Sequence, residues 1–121
     1  MKKLIGVLFF FCWCCCLPVL AVEPSEIRAI QLSQLPQEAR TVLFKIKAGA
    51  TFSFGNDGRV FSNYEAHLPQ RRRGYYREYT VKKPGAHSRG AMRIISGGFE
   101  KPYESFYFTY DHYRSFSRIL E

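Results

Sequence analysis

The stretch GYYREYTV, Gly74 to Val81, carries one carboxylate, Glu78, among aromatic and β-branched residues. Two guanidinium groups follow at Arg89 and Arg93, and an imidazole at His112 beside Tyr113. These residue types together suit phosphoryl transfer on RNA. A carboxylate can take the proton from a ribose 2′-OH, and an imidazolium can give one to the departing 5′-oxygen, because each can hold the needed state near neutral pH. Arginines bind the phosphate and offset the charge that builds on its oxygens. Such a set calls for no metal and no cofactor. The sequence shows no His/Cys cluster at metal-ligand spacing, no Walker-type phosphate loop and no GxSxG. Each residue alone is ordinary: a Glu beside Arg77 is usually ion-paired or solvated, and arginines and turn histidines usually face water.

The elements around these residues decide whether they can meet. Side chains alternate along a strand. YYREYTV therefore puts Tyr76, Glu78 and Thr80 on one face, and Tyr75, Arg77, Tyr79 and Val81 on the other. A next strand through AMRIIS aligns Arg89, Ala91, Arg93 and Ile95, with Met92 and Ile94 opposite. If those faces align, one acid meets two guanidinium groups. FYFTY reads as a strand, DH as a turn and YRSFSRIL as a last strand, so His112 sits at a turn able to lean over the same face. Upstream, LPQEARTVLFKIKAG repeats apolar residues at Ala39, Val42, Leu43 and Ile46, a helical period stopped by Gly49. A shorter helix is predicted around Ser25 to Gln31. RVFSNYE follows an NDG turn, HLPQRRRG is a basic loop, and GGFEKPYES is a loop. One main helix followed by sequential strands predicts an α+β fold, the helix packed on a twisted antiparallel sheet.

The chain has 121 residues and a formal charge of +8. Its start has the parts of a secretory leader: Lys2 and Lys3, an apolar run from Leu4 to Leu17, and Val19-Leu20-Ala21 before a cut. The run is short for a membrane span, which needs about 20 apolar residues. Residues 1–21 are thus read as a signal peptide and 22–121 as one exported domain, extracellular or periplasmic, without lasting membrane association. All four cysteines, Cys12, Cys14, Cys15 and Cys16, fall in the leader, so the mature fold must rest on its core rather than on a disulfide. The mature chain keeps a net charge of +6, which favours polyanionic partners. Arg71 to Arg73 read as a solvated loop that attracts RNA without sequence preference. His67 and His87 show no partner in the sequence.

LPQEA, DGRVFSNYE, GYYREYTV, PGAHSRGAMRII and YFTYDHYRSF, in that order, resemble the secreted guanyl-specific microbial ribonucleases, the barnase-like family, and especially its streptomycete-type branch. The likeness runs from about Leu35 to Leu120. It implies cleavage of single-stranded RNA after G through a 2′,3′-cyclic phosphate, then hydrolysis to a 3′-phosphate. It implies Glu78 as general base, His112 as general acid with Tyr113 beside it, and Arg89 and Arg93 as phosphate ligands. It implies base recognition in FSNYE: main-chain N–H groups near Asn63 and Tyr64 on guanine O6, Glu65 accepting from N1–H and N2–H₂, and Phe61 and Tyr64 against the base. The family further implies an acidic inhibitor resembling barstar. A monomer is expected as the working form. Tyr64 stands where relatives often have Arg, and Met92 replaces a frequent basic residue, which predicts one cation fewer near the cleft. The rival reading is a non-catalytic basic module that binds RNA or another polyanion. A pure binder gains nothing from a carboxylate aimed at phosphate, so Glu78 separates the two.

Overall fold

A computed structural model describes residues 27–121. The leader and Ser25–Glu26 lie outside the described residues. Six strands form one sheet in the order β1-β6-β5-β4-β3-β2: β1 Arg28–Gln31, β2 Arg59–Val60, β3 Tyr76–Thr80, β4 Arg93–Gly97, β5 Ser105–Thr109 and β6 Ser117–Leu120. One α-helix, α1, spans Gln37–Ala48. Pro36 opens it, Glu38 lies in its first turn at the positive end of the dipole, and Lys45 and Lys47 in its last. Gly49 closes it with φ 69°, a left-handed conformation that costs glycine little. Among the described residues no helix is long and apolar enough to cross a membrane.

The predicted α+β architecture is observed, with three local differences. Arg28–Gln31 is not helical. It is a strand lying parallel to β6, with Ile30 in register with Ile119. Four residues make too little helix to stand alone, whereas pairing with the C-terminal strand satisfies the backbone and sets Ile30 against the core. RVFSNYE contributes only Arg59–Val60 to the sheet, and the remainder turns away as a loop. The AMRIIS strand begins at Arg93, so Ala91 and Met92 precede it.

The alternation along each strand builds two layers. Tyr79, Ile94, Phe106, Phe108 and Ile119 face α1 and pack with Leu35, Ala39, Leu43 and Ile46. Met92 belongs to this cluster, with 9% exposure, so it points toward the helix side and not into the cleft. The expectation that it costs the cleft a cation is therefore corrected. The opposite face carries a second cluster of Leu68, Tyr76, Ile95, Tyr107 and Phe116, joined by Tyr75 and the half-buried Phe61 and Tyr113. This second layer lies on the same sheet face as Glu78 and Thr80. Asp57, in the NDG turn, pins the end of β3 by accepting the Thr80 N–H at 2.7 Å.

Gly97 closes β4 against the side chains of Tyr75 and Ser105. A Cβ there would strike Ser105 Oγ and stand 2.9 Å from Tyr75 Cε1. We predict that Gly97→Ala destabilises by about 1–3 kcal/mol, the usual range for overpacking. Urea unfolding should show a lower midpoint at unchanged m-value; an unaltered midpoint would contradict this view of the Tyr75 contact.

Candidate active site

Glu78 occupies the middle of β3, where register puts it beside Ile95 of β4 and Arg59 of β2. Its side chain is 18% exposed, shielded but reachable. The Tyr113 hydroxyl donates to Glu78 Oε2 at 2.6 Å, and Arg89 Nη2 stands 3.8 Å from Oε1. Each carboxylate oxygen thus has its own neighbour. Burial, and then the bond to Glu78, pushes the Tyr113 phenol up to about 12. It therefore remains a donor across the neutral range.

Arg89 reaches this face from a loop and not from strand alternation, as the sequence had suggested. Its Nε and Nη2 both donate to Thr80 Oγ1, at 3.0 and 2.9 Å. Thr80 shares the Glu78 face, so the hydroxyl is the peg that holds the loop guanidinium next to the acid. Arg93 is held differently. It is 2% exposed, and its Nη1 donates to the carbonyls of Gly90 and Met92 at 2.9 and 2.8 Å. Its Nε is buried with no hydrogen-bond partner, and its guanidinium carbon lies 6.0 Å from the Tyr113 ring centre. Among the described residues no carboxylate lies within ion-pairing distance of Arg93. A buried cation without a counter-charge is costly. The same arrangement is one that an incoming anion would relieve.

His112 sits on the turn after β5, exposed, with its backbone N–H donating to Ala91 O at 3.1 Å. Its ring lies 4.7 Å from that of Tyr113. Both residues hold positive φ, 55° and 71°, an uncommon conformation outside glycine that needs support from its surroundings. Asp111 gives that support. It accepts from Thr109 Oγ1 and Ser115 N, each at 2.9 Å, and from Ser115 Oγ at 2.6 Å. Thr109 Oγ1 in turn accepts the Tyr113 N–H at 3.1 Å. The hydroxyl–carboxylate net fixes the turn that carries both His112 and Tyr113.

The FSNYE segment forms a ledge beside this centre. Phe61 stacks on Tyr113, with ring centres 4.9 Å apart and planes 29° off parallel. The side chain of Asn63 closes the following loop, donating to Leu68 O at 2.9 Å and accepting from Leu68 N at 3.1 Å. That loop leaves the backbone N–H groups of Asn63 and Tyr64 without an acceptor among the described residues. Phe61, Asn63, Tyr64, Glu65, His67 and Tyr113 line one shallow depression. Tyr64 is 92% exposed, so it caps the rim and packs on nothing in the free protein. Glu65 points into solvent but has a partner the sequence did not suggest: His67 Nε2 lies 2.9 Å from its Oε2. Sequence reading passed over Asp111 and Arg59, and it placed Thr80 on the Glu78 face without a task for its hydroxyl. The alternation of Arg59 with Phe61 could have placed Arg59 on the Glu78 face. Nothing in sequence spacing marks Asp111.

A sequence model of the ribonuclease family matches residues 21–120. Guanyl-specific ribonuclease Sa of Kitasatospora aureofaciens is 49% identical over 88 residues, which cover 73% of this chain and 88% of that protein. Guanyl-specific ribonuclease Sa3 of the same organism is 46% identical over 87 residues, 72% of this chain. The chain spans 60% of the length of Sa3. A solved structure of ribonuclease Sa2 complexes with mononucleotides superposes with a TM-score of 0.74 at 33% identity, covering 79% of this chain and 96% of that one. Another, of ribonuclease Sa2 with guanosine-2′-cyclophosphate, gives a TM-score of 0.71 at 34% identity, covering 78% and 97%.

The Asp111 net generates a pH prediction. Burial pushes this carboxyl up, but hydrogen bonds from Ser115 and Thr109 outweigh burial and hold it below the usual carboxylate range. A depressed folded value means that the contribution to stability is complete above the ordinary aspartate range, near 3.9, and fades as pH falls through the folded value. Protection of the Tyr113 and Ser115 amides, relative to their intrinsic exchange rates at each pH, should therefore fall locally as pH drops below that range, and Asp111→Asn should weaken the acid dependence. Exchange at these two amides that follows only global unfolding in both proteins would contradict the assignment.

Proposed function

We propose that this chain, which belongs to the ribonuclease family, is an exported guanyl-specific endoribonuclease that cuts single-stranded RNA on the 3′ side of guanosine. The observation that carries the reading is a carboxylate, Glu78, set between a phenol donor and a guanidinium and close to a second, buried guanidinium without a counter-ion. A module that only bound polyanions would be weakened by that acid.

The reaction follows from the side chains. Glu78 accepts the proton of the ribose 2′-OH as the oxygen attacks phosphorus. The P–O5′ bond breaks, and His112, as imidazolium, delivers a proton to the leaving 5′-oxygen. Arg89 and Arg93 bind the non-bridging oxygens, whose charge rises in the transition state. The product is a 2′,3′-cyclic phosphate. In hydrolysis His112 takes a proton from water, the P–O2′ bond breaks, and Glu78 returns its proton to O2′, leaving a 3′-phosphate. Tyr113 orients Glu78 through Oε2 and leaves Oε1 to the 2′-OH. No step needs a metal.

Selectivity resides on the ledge. The guanine O6 would accept from the backbone N–H groups at Asn63 and Tyr64, and Glu65 would accept from N1–H and N2–H₂. Adenine has an acceptor at N1 and no amino group at C2, so the same carboxylate disfavours it. Phe61 and Tyr64 supply aromatic faces for the base. The basic loop adds reach: Arg71 lies over Tyr75 at 5.4 Å and Arg72 over Phe99 at 4.9 Å, both exposed, in keeping with contacts to flanking RNA phosphates. The protein would act as a monomer after removal of residues 1–21, outside the cell or in the periplasm. A basic cleft of this kind also suits an acidic, barstar-like protein inhibitor in the producing cell.

Digestion of an end-labelled oligonucleotide with a single G should give one cut, after that G, with the same rate in EDTA. Removal of the general acid by His112→Ala should slow transesterification by roughly 10²–10⁴-fold. A dependence on added divalent ion, cuts at every base, or near-wild-type turnover in a folded His112→Ala protein would sink the reading.

A further inference from the structure

His67 has no role in the reaction derived above, yet it holds a defined place on the ledge. Its Nε2 lies 2.9 Å from Glu65 Oε2, while its ring sits 6.4 Å from that of Phe116 on the cleft floor. The backbone brings the two side chains together. Ala66 between them adopts φ 56°, rare for a residue with a Cβ, and its N–H donates to Asn63 O at 2.9 Å. The chain thus turns at Tyr64 and Glu65, and the left-handed Ala66 leads on into His67. The loop is locked at its base by the paired Asn63–Leu68 hydrogen bonds, and Leu68 is 2% exposed. His67 thus projects from a residue next to a buried anchor, whereas Glu65 stands at the tip with its side chain 66% exposed.

We propose that His67 is a positioning residue for base recognition: it holds the Glu65 carboxylate in the orientation that guanine requires. The proposal rests on the reading of Glu65 as the base-reading group. An exposed glutamate samples many rotamers, and fixing one on binding costs free energy. A donor already attached to Oε2 meets part of that cost before the base arrives. It does not exhaust the acceptor. A carboxylate offers about four lone-pair sites, so one bond from His67 leaves Oε1 and the second site of Oε2 for N1–H and N2–H₂. The tautomer is set by the partner: facing a carboxylate, Nε2 carries the hydrogen in the neutral ring, and also in the imidazolium.

The consequence is a KM effect confined to guanine. His67→Ala should raise KM for the dinucleotide GpC roughly two- to tenfold, the range of an exposed charged contact plus one ordered side chain. It should leave kcat on GpC, and both constants on ApC, unchanged. His67→Gln, whose amide also donates, should recover most of the loss. In a Glu65→Gln background His67→Ala should add nothing, since the group it orients is gone. Circular dichroism and thermal unfolding establish that each variant is folded. If Glu65→Gln lowers the G-over-A ratio while His67→Ala leaves KM for GpC unaltered, the positioning role fails and the base-reading role of Glu65 stands. Equal losses on GpC and ApC, or a loss in kcat, would also overturn it, because His67 would then act on the RNA or on the fold. If Glu65→Gln keeps the wild-type G-over-A ratio, the reading of Glu65 fails and this inference fails with it.

Discussion

The hydrogen bond from Tyr113 to Glu78 ties together parts of the chain that sequence order keeps apart. Glu78 belongs to β3, beside the short edge strand β2, and Tyr113 to the turn between β5 and β6. The bond fixes which carboxylate oxygen is free. It brings the turn, and His112 with it, over the strand face. The same ring stacks on Phe61 at the start of the ledge and faces the Arg93 guanidinium. One phenol thereby links the acid, the buried Arg93 guanidinium and the Phe61 ring. Its donor state is secure, since burial and the carboxylate both hold the proton on the oxygen.

Around this contact the sheet separates its two duties by parity. Odd positions of β3, such as Tyr79, pack on α1, and even positions, Tyr76, Glu78 and Thr80, face the cleft. The helix-side core of Leu43, Ile46, Ile94 and Phe108 stabilises the sheet without a disulfide, while the other face can tolerate a poorly compensated cation. Arg93 illustrates the conflict between stability and function. Its Nη1 is tethered by carbonyls, and its Nε has no hydrogen-bond partner, which a protein selected only for stability would avoid. Such a site lowers stability in the free protein, and an incoming anion would offset that loss.

Local periodicity made α1, β3 and the two-faced character of the sheet legible, because 3.6- and 2-residue repeats report burial directly. Glu78, Arg93 and their common face followed from that alternation. Other features depend on distant or non-repetitive geometry. Arg28–Gln31 is a strand because β6, at the other end of the chain, pairs with it in parallel, and no signal in RAIQ itself distinguishes this from a helical turn. Arg89 arrives by a loop and a threonine hydroxyl, so strand parity led to the right face for the wrong reason. Met92 looked like a lost cleft cation and is a core side chain, because the residue before β4 still follows the helix-facing parity. The Glu65–His67 contact depends on a left-handed alanine, which neither composition nor spacing announces.

The central claim is that Glu78 does the proton chemistry and takes no part in choosing the base. The most direct measurement is steady-state turnover of a folded Glu78→Gln protein on GpC and on ApC. Glutamine keeps the shape and an acceptor for Tyr113 but cannot take the 2′-OH proton. The account predicts a fall in kcat of roughly 10²–10⁴-fold on both dinucleotides, with the G-over-A ratio preserved. Near-wild-type kcat, or a fall on one dinucleotide alone, would contradict it.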